Sequence, residues 1–66
     1  MFEIGAQVRI ADTNDQDPEV AGCVGEIVDI VLSPKRQLVA WYVVRVTDRF
    51  GSVTNYWFQP FELENI

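Results

Sequence analysis

Short runs of β-branched and aromatic residues alternate with clusters of Gly, Pro, Asn and Asp along the chain, and no window carries apolar residues at i, i+3, i+4 and i+7. That pattern predicts a small antiparallel β protein without an amphipathic helix or an internal repeat. Gln7-Val8-Arg9-Ile10 alternates polar and apolar residues, so Val8 and Ile10 are expected to face the core and Gln7 and Arg9 the water, with Gly5 marking the start of the strand. A second strand is predicted over Glu26 to Leu32, entered through Gly22-Cys23-Val24-Gly25, two glycines that serve tight backbone geometry. Within it Ile27 and Ile30 stand at an odd spacing, which strict alternation would send to opposite faces. A bulge near Val28 and Asp29 is therefore expected. The strongest strand is Leu38 to Thr47, with Tyr42, Val44 and Val46 on one face and Trp41, Val43 and Arg45 on the other. Asp48 to Ser52 reads as a hairpin turn in which Gly51 supplies a positive φ, returning into a fourth strand over Val53 to Phe58. Pro60 stops that strand, and Phe61 and Leu63 are spaced to tuck a short turn and a terminal strand against the core.

Two segments fall outside this pattern. Asp12-Thr13-Asn14-Asp15-Gln16-Asp17-Pro18-Glu19 holds turn formers, a Pro and four carboxylates, and reads as an exposed acidic loop; Ser33-Pro34-Lys35-Arg36-Gln37 is a second loop. With 66 residues in all, a single domain over 1–66 uses the whole length, and 48% hydrophobic residues place it among globular chains. Ten acidic residues against five basic ones give a net charge of −5, which opposes non-specific binding to nucleic acid or anionic lipid. No His and a single Cys exclude a disulfide framework, a Cys/His zinc site and His-based acid–base catalysis within one chain. No stretch approaches the roughly 20 apolar residues of a membrane span, and the first residues lack a basic and apolar leader. The cytoplasm is thus the expected compartment, and the initial Met fits a complete small gene product.

Taken together, Gly5-x-x-Val8-Arg9-Ile10, Gly22-x-x-Gly25-x-Ile27-x-x-Ile30, Tyr42-x-Val44-Arg45-Val46 and Tyr56-Trp57-Phe58-x-Pro60-x-Glu62-Leu63-Glu64 resemble an SH3-like small barrel over nearly the whole chain. The resemblance implies an all-β, single five-stranded SH3-like barrel with a short turn before the last strand. Similar modules occur as KOW-type domains, in the ferredoxin-docking subunit of photosystem I, in the variable chain of ferredoxin–thioredoxin reductase and in the nitrile hydratase β chain. These glycine and core positions specify a fold rather than a job. The peptide-binding SH3 domains differ in carrying an Ala-Leu-Tyr-Asp-Tyr-type stretch absent here, and the nucleic-acid and ferredoxin-docking barrels differ in carrying a basic face.

Each chemical candidate has a plainer reading beside it. Asp12, Asp15, Asp17 and Glu19 could hold a hard cation, but an EF-hand register counted from Asp12 puts Asp17 at the Gly position and Cys23 at the Glu position. No metal is expected; the loop is solvated or docks against a partner. Cys23 lacks both an activating His and a resolving Cys, so it is expected to be a small buried hydrophobe. A carboxylate couple such as Asp48 and Glu62 would need a cleft that a barrel filled by side chains does not offer. Among the aromatics, if Tyr42 and Phe58 point inward, Trp41 and Trp57 point outward, where Trp beside Arg is the composition of a binding hot spot. The alternative is that a loop covers them as packing.

These readings lead to a non-catalytic protein-binding module with no cofactor, a small accessory or adaptor subunit contacting a protein partner through Trp41, Arg45 and Trp57, with Tyr56 if the register differs. The acidic loop of Asp12, Asp15, Asp17 and Glu19 would steer toward a basic partner surface. A permanent place within a larger enzyme complex is a structural variant of the same idea. The alternative is a KOW-like module using Lys35, Arg36 and Trp41 on nucleic acid, or an acidic mimic of nucleic acid; so few basic residues disfavour direct binding.

Overall fold

The alternation in the first run becomes strand β1 (Gln7–Ile10), with Val8 and Ile10 fully buried and Gln7 and Arg9 exposed. In the computed structural model, which describes residues 2–13, 17–35 and 38–66, the chain continues through β2 (Val24–Leu32), β3 (Val39–Thr47), β4 (Val53–Phe58), a 3-10 turn (Pro60–Glu62) and β5 (Leu63–Asn65). All pairings are antiparallel, and the strands form one five-stranded sheet in the order β4-β3-β2-β1-β5. The strands and the short turn before the last one match the expectation. Closure into a barrel does not follow, because β4 and β5 end the sheet and are not paired with each other among the described residues. No described helix is long and apolar enough to cross a membrane.

The predicted bulge is present in β2. Ile27 lies opposite Val44 and Asp29 opposite Val43, so Val28 is the extra residue, and Ile30 then returns to the inward side opposite Tyr42. Gly25 sits inside β2 rather than ahead of it, facing Val8 on one side and Val46 on the other. A Cβ there would stand 2.6 Å from Val44 Cγ1 and 2.7 Å from the Arg45 carbonyl oxygen, closer than packed atoms tolerate. Only glycine fits. In the β3–β4 hairpin, Gly51 takes φ 85°, as the turn requires. Asp48 Oδ1 accepts hydrogen bonds from the amides of Phe50 and Ser52 at 2.8 and 3.0 Å, and the Asp48 amide donates to Ser52 O at 2.9 Å.

One face of the sheet carries the core: Val8, Ile10, Ile27, Tyr42, Val44, Val46, Phe58 and Leu63, joined by Val20 from the loop. The Phe2 ring meets Tyr42 edge-on at 5.4 Å, and the Phe2 amide donates to the Tyr42 hydroxyl at 3.0 Å, which satisfies that buried phenol. Two expectations need correction. Phe61 does not tuck inward; it is 79% exposed. A turn with three residues per revolution breaks the two-residue alternation, so Leu63 reaches the core while Phe61 faces water. The acidic loop is also not solvated throughout, since Val20 at its end is completely buried and Asp17 and Glu19 are half-buried. Its amide donates to Asp17 O and its carbonyl accepts from the Cys23 amide, which turns the loop inward at that point.

Candidate functional site

Alternation places on the outer face of the sheet the residues that the core rejects. From β3 these are Trp41, Val43 and Arg45; from β4 they are Val53, Asn55 and Trp57, with Trp57 directly opposite Val43 and Asn55 opposite Arg45. The Trp41 and Trp57 rings lie 6.2 Å apart and tilted by 54°. Val43 is only 7% exposed although it lies outside the core cluster. In the register Trp57 stands directly opposite it and Trp41 two residues along its own strand. The pair is therefore both packing and surface: Trp41 is half-buried, whereas Trp57 remains 56% exposed. Arg45 beside it is exposed. Trp, Tyr and Arg are the side chains that most often dominate protein interfaces.

Tyr56 takes the other side of β4. Its ring stacks on Phe58 at 6.0 Å and 21°, it packs against the core cluster, and its hydroxyl donates to Glu19 Oε1 at 3.5 Å. It belongs with the acidic loop and not with the two indoles. Partial burial, together with the carboxylates of Glu19, Asp48 and Asp17, holds the Tyr56 hydroxyl above its ordinary value of 10.0. Burial, then the neighbouring Glu19 and Glu62, likewise raises the Asp17 carboxyl above 3.8. Asp17, Glu19 and Asp48 thus form an electronegative surround for Tyr56 on the core side of β4, with Glu62 beside Asp17, while Asp12 is exposed and Asp15 lies outside the described residues.

The remaining candidates sort into structural roles. Asp48 closes the hairpin and Glu62 Oε1 accepts from the Gln59 amide at 2.9 Å, so both carboxylates serve turns. Cys23 is half-buried against the core cluster. Among the described residues no group of three His, Cys, Asp or Glu side chains is placed to hold a metal ion. Lys35 is exposed, and Arg36, its neighbour in the nucleic-acid reading, lies outside the described residues. Counting back from Trp57 by twos would have added Asn55 and Val53 to the outer face. The Tyr56–Glu19 contact has no local signal, since its partners are 37 residues apart. Comparison with protein families, curated proteins and solved structures finds no match for this chain.

Proposed function

We propose that the chain is a non-catalytic protein-binding module, a small accessory or adaptor domain of the cytoplasm that docks on a larger protein through the outer face around Trp41, Trp57 and Arg45. The carrying observation is the indole pair itself, with Trp41 half-buried and Trp57 56% exposed on the outer face of the sheet. The acidic side of β4, with Glu19 and Asp17, steers approach toward a basic surface. The barrel reading of the fold is part of this proposal. The burial of Val8, Ile10, Ile27, Tyr42, Val44, Val46, Phe58 and Leu63 to between 0% and 7% exposure on one face of a single sheet, and the bulge in β2, support that reading.

The test is affinity capture from a lysate of the source cells with wild type and Trp41→Ala, at low and high salt, identifying both protein and nucleic acid. A stoichiometric protein that survives high salt and is lost with the substitution, at a cost of about 2 kcal/mol or more, supports the reading. Recovery of nucleic acid alone, released by salt with the slope of phosphate contacts, replaces it with the Lys35, Arg36 and Trp41 surface.

A further inference from the structure

The strand β4 ends the sheet, and its pairing with β3 fixes which of its backbone groups face outward. Asp48 and Ser52 are hydrogen-bonded across the base of the hairpin, and bonded pairs alternate along an antiparallel ladder. Val46 with Thr54, Val44 with Tyr56 and Tyr42 with Phe58 are therefore the bonded pairs. The N–H and C=O groups of Val53, Asn55 and Trp57 point away from β3, and no turn or loop hydrogen bond among the described residues reaches them. Proteins usually blunt such an edge with Lys, Pro, a bulge or a very short strand. β4 has none of these: Val-Thr-Asn-Tyr-Trp-Phe runs six residues without charge or Pro, in unbroken register with β3. The opposite edge, β5, is three residues long and carries Glu64.

We propose that the β4 edge accepts an extended segment of the partner protein as an added strand, with basic side chains alternating with apolar ones. This rests on the protein-docking reading and gives its mode. One set of the added side chains falls beside Thr54 and Tyr56, where the Glu19 carboxylate lies at the Tyr56 hydroxyl and Asp17 and Asp48 add to the negative potential that favours a Lys or Arg. The one cation of the hairpin turn, Arg49, is occupied on the Ala21 carbonyl at 3.3 Å. The other set falls beside Val53, Asn55 and Trp57, where the 61% exposed Val53 and the indole pair favour apolar side chains and Arg45 disfavours a second cation. A second copy of this chain would bring the same uncharged strand and the same carboxylates, with its hairpin cation Arg49 already held on the Ala21 carbonyl.

The probe is a capped peptide of about seven residues, matched to the length of β4, with Lys alternating with Val and Phe, titrated into the full chain. Binding should slow amide exchange at Val53, Asn55 and Trp57 while leaving Thr54 and Tyr56 as they were. Affinity should fall roughly tenfold or more with Glu in place of Lys. Peptides N-methylated on either alternate set of amides keep the protein untouched, and the set facing β4 should abolish binding. Asn55→Pro should do the same, since the lost N–H points outward. No binding of the Lys peptide, equal binding of the Glu or of both methylated peptides, or self-association through β4 in sedimentation would overturn the proposal. Capture of a cellular partner that is lost in Trp41→Ala but kept by folded Asn55→Pro removes only the strand-addition mode. Capture unaffected by both removes the docking face as well.

Discussion

Trp57 and Phe58 are neighbours in sequence, made of similar chemistry, and differ in fate: Phe58 is completely buried and Trp57 is 56% exposed. The contrast extends to the two faces of the sheet. On the inner face every large side chain of β3 and β4 finds partners from β1, β2, β5 and the Val20 loop. On the outer face the same strands present Trp41, Val43, Arg45, Asn55 and Trp57, and only Val43 is closed off. The strict alternation of a strand therefore does not by itself decide burial; it divides residues into two sets, and the contacts of the core cluster cover one of them. The uncovered set is where large apolar area remains for an interaction outside the domain.

The deepest break in this comparison comes from Phe58→Ala, expected to cost about 3–5 kcal/mol through lost burial and the cavity left behind. A domain of this length has only about 3–5 kcal/mol to lose, so far-UV circular dichroism should show a largely unfolded chain. Gly25→Ala follows. Its Cβ would collide with Val44 Cγ1 and the Arg45 carbonyl, and overpacking of this kind costs about 1–3 kcal/mol, visible as a lower urea midpoint with an unchanged slope. Trp57→Ala should cost about 1 kcal/mol or less in the same assay, mainly through loss of cover over Val43, while weakening partner binding by about 2 kcal/mol or more.

The smallest effect concerns charge. Asp17 has a raised carboxyl pKa in the folded state, so the folded chain binds its proton more readily than the unfolded chain does. Its ionised form at pH 7 therefore weighs against folding, and that penalty is relieved as pH falls through the raised value toward 3.8. Asp17→Asn should raise the melting temperature slightly at pH 7, solvent screening keeping the effect small, and the advantage should vanish below the ordinary carboxyl value.

Most of the sheet was legible because its signals are local. β1 and β4 coincide with the predicted runs, and the odd spacing of Ile27 and Ile30 located the bulge at Val28. What escaped depends on contacts distant in the chain. Gly25 reads as a breaker by composition, yet it lies inside β2 because the β3 backbone approaches it too closely for any Cβ. Phe61 follows the spacing of a strand but sits on a 3-10 turn, where that spacing points to water. Val20 is surrounded in sequence by loop residues, and only the tertiary structure places it in the core. For the site, alternation separated Trp41 and Trp57 from Tyr42 and Phe58. It could not bring Glu19 to the Tyr56 hydroxyl, nor show that one indole would stay half exposed while the valine beneath was sealed.

The most direct test of the outer face as a binding surface is high-salt capture of the partner by Trp57→Ala, compared with wild type, on protein whose cooperative unfolding has been verified. The two-face account predicts a folded variant from which the partner is lost. Undiminished, stoichiometric capture by the folded variant would contradict it and return the indole pair to the role of packing over Val43.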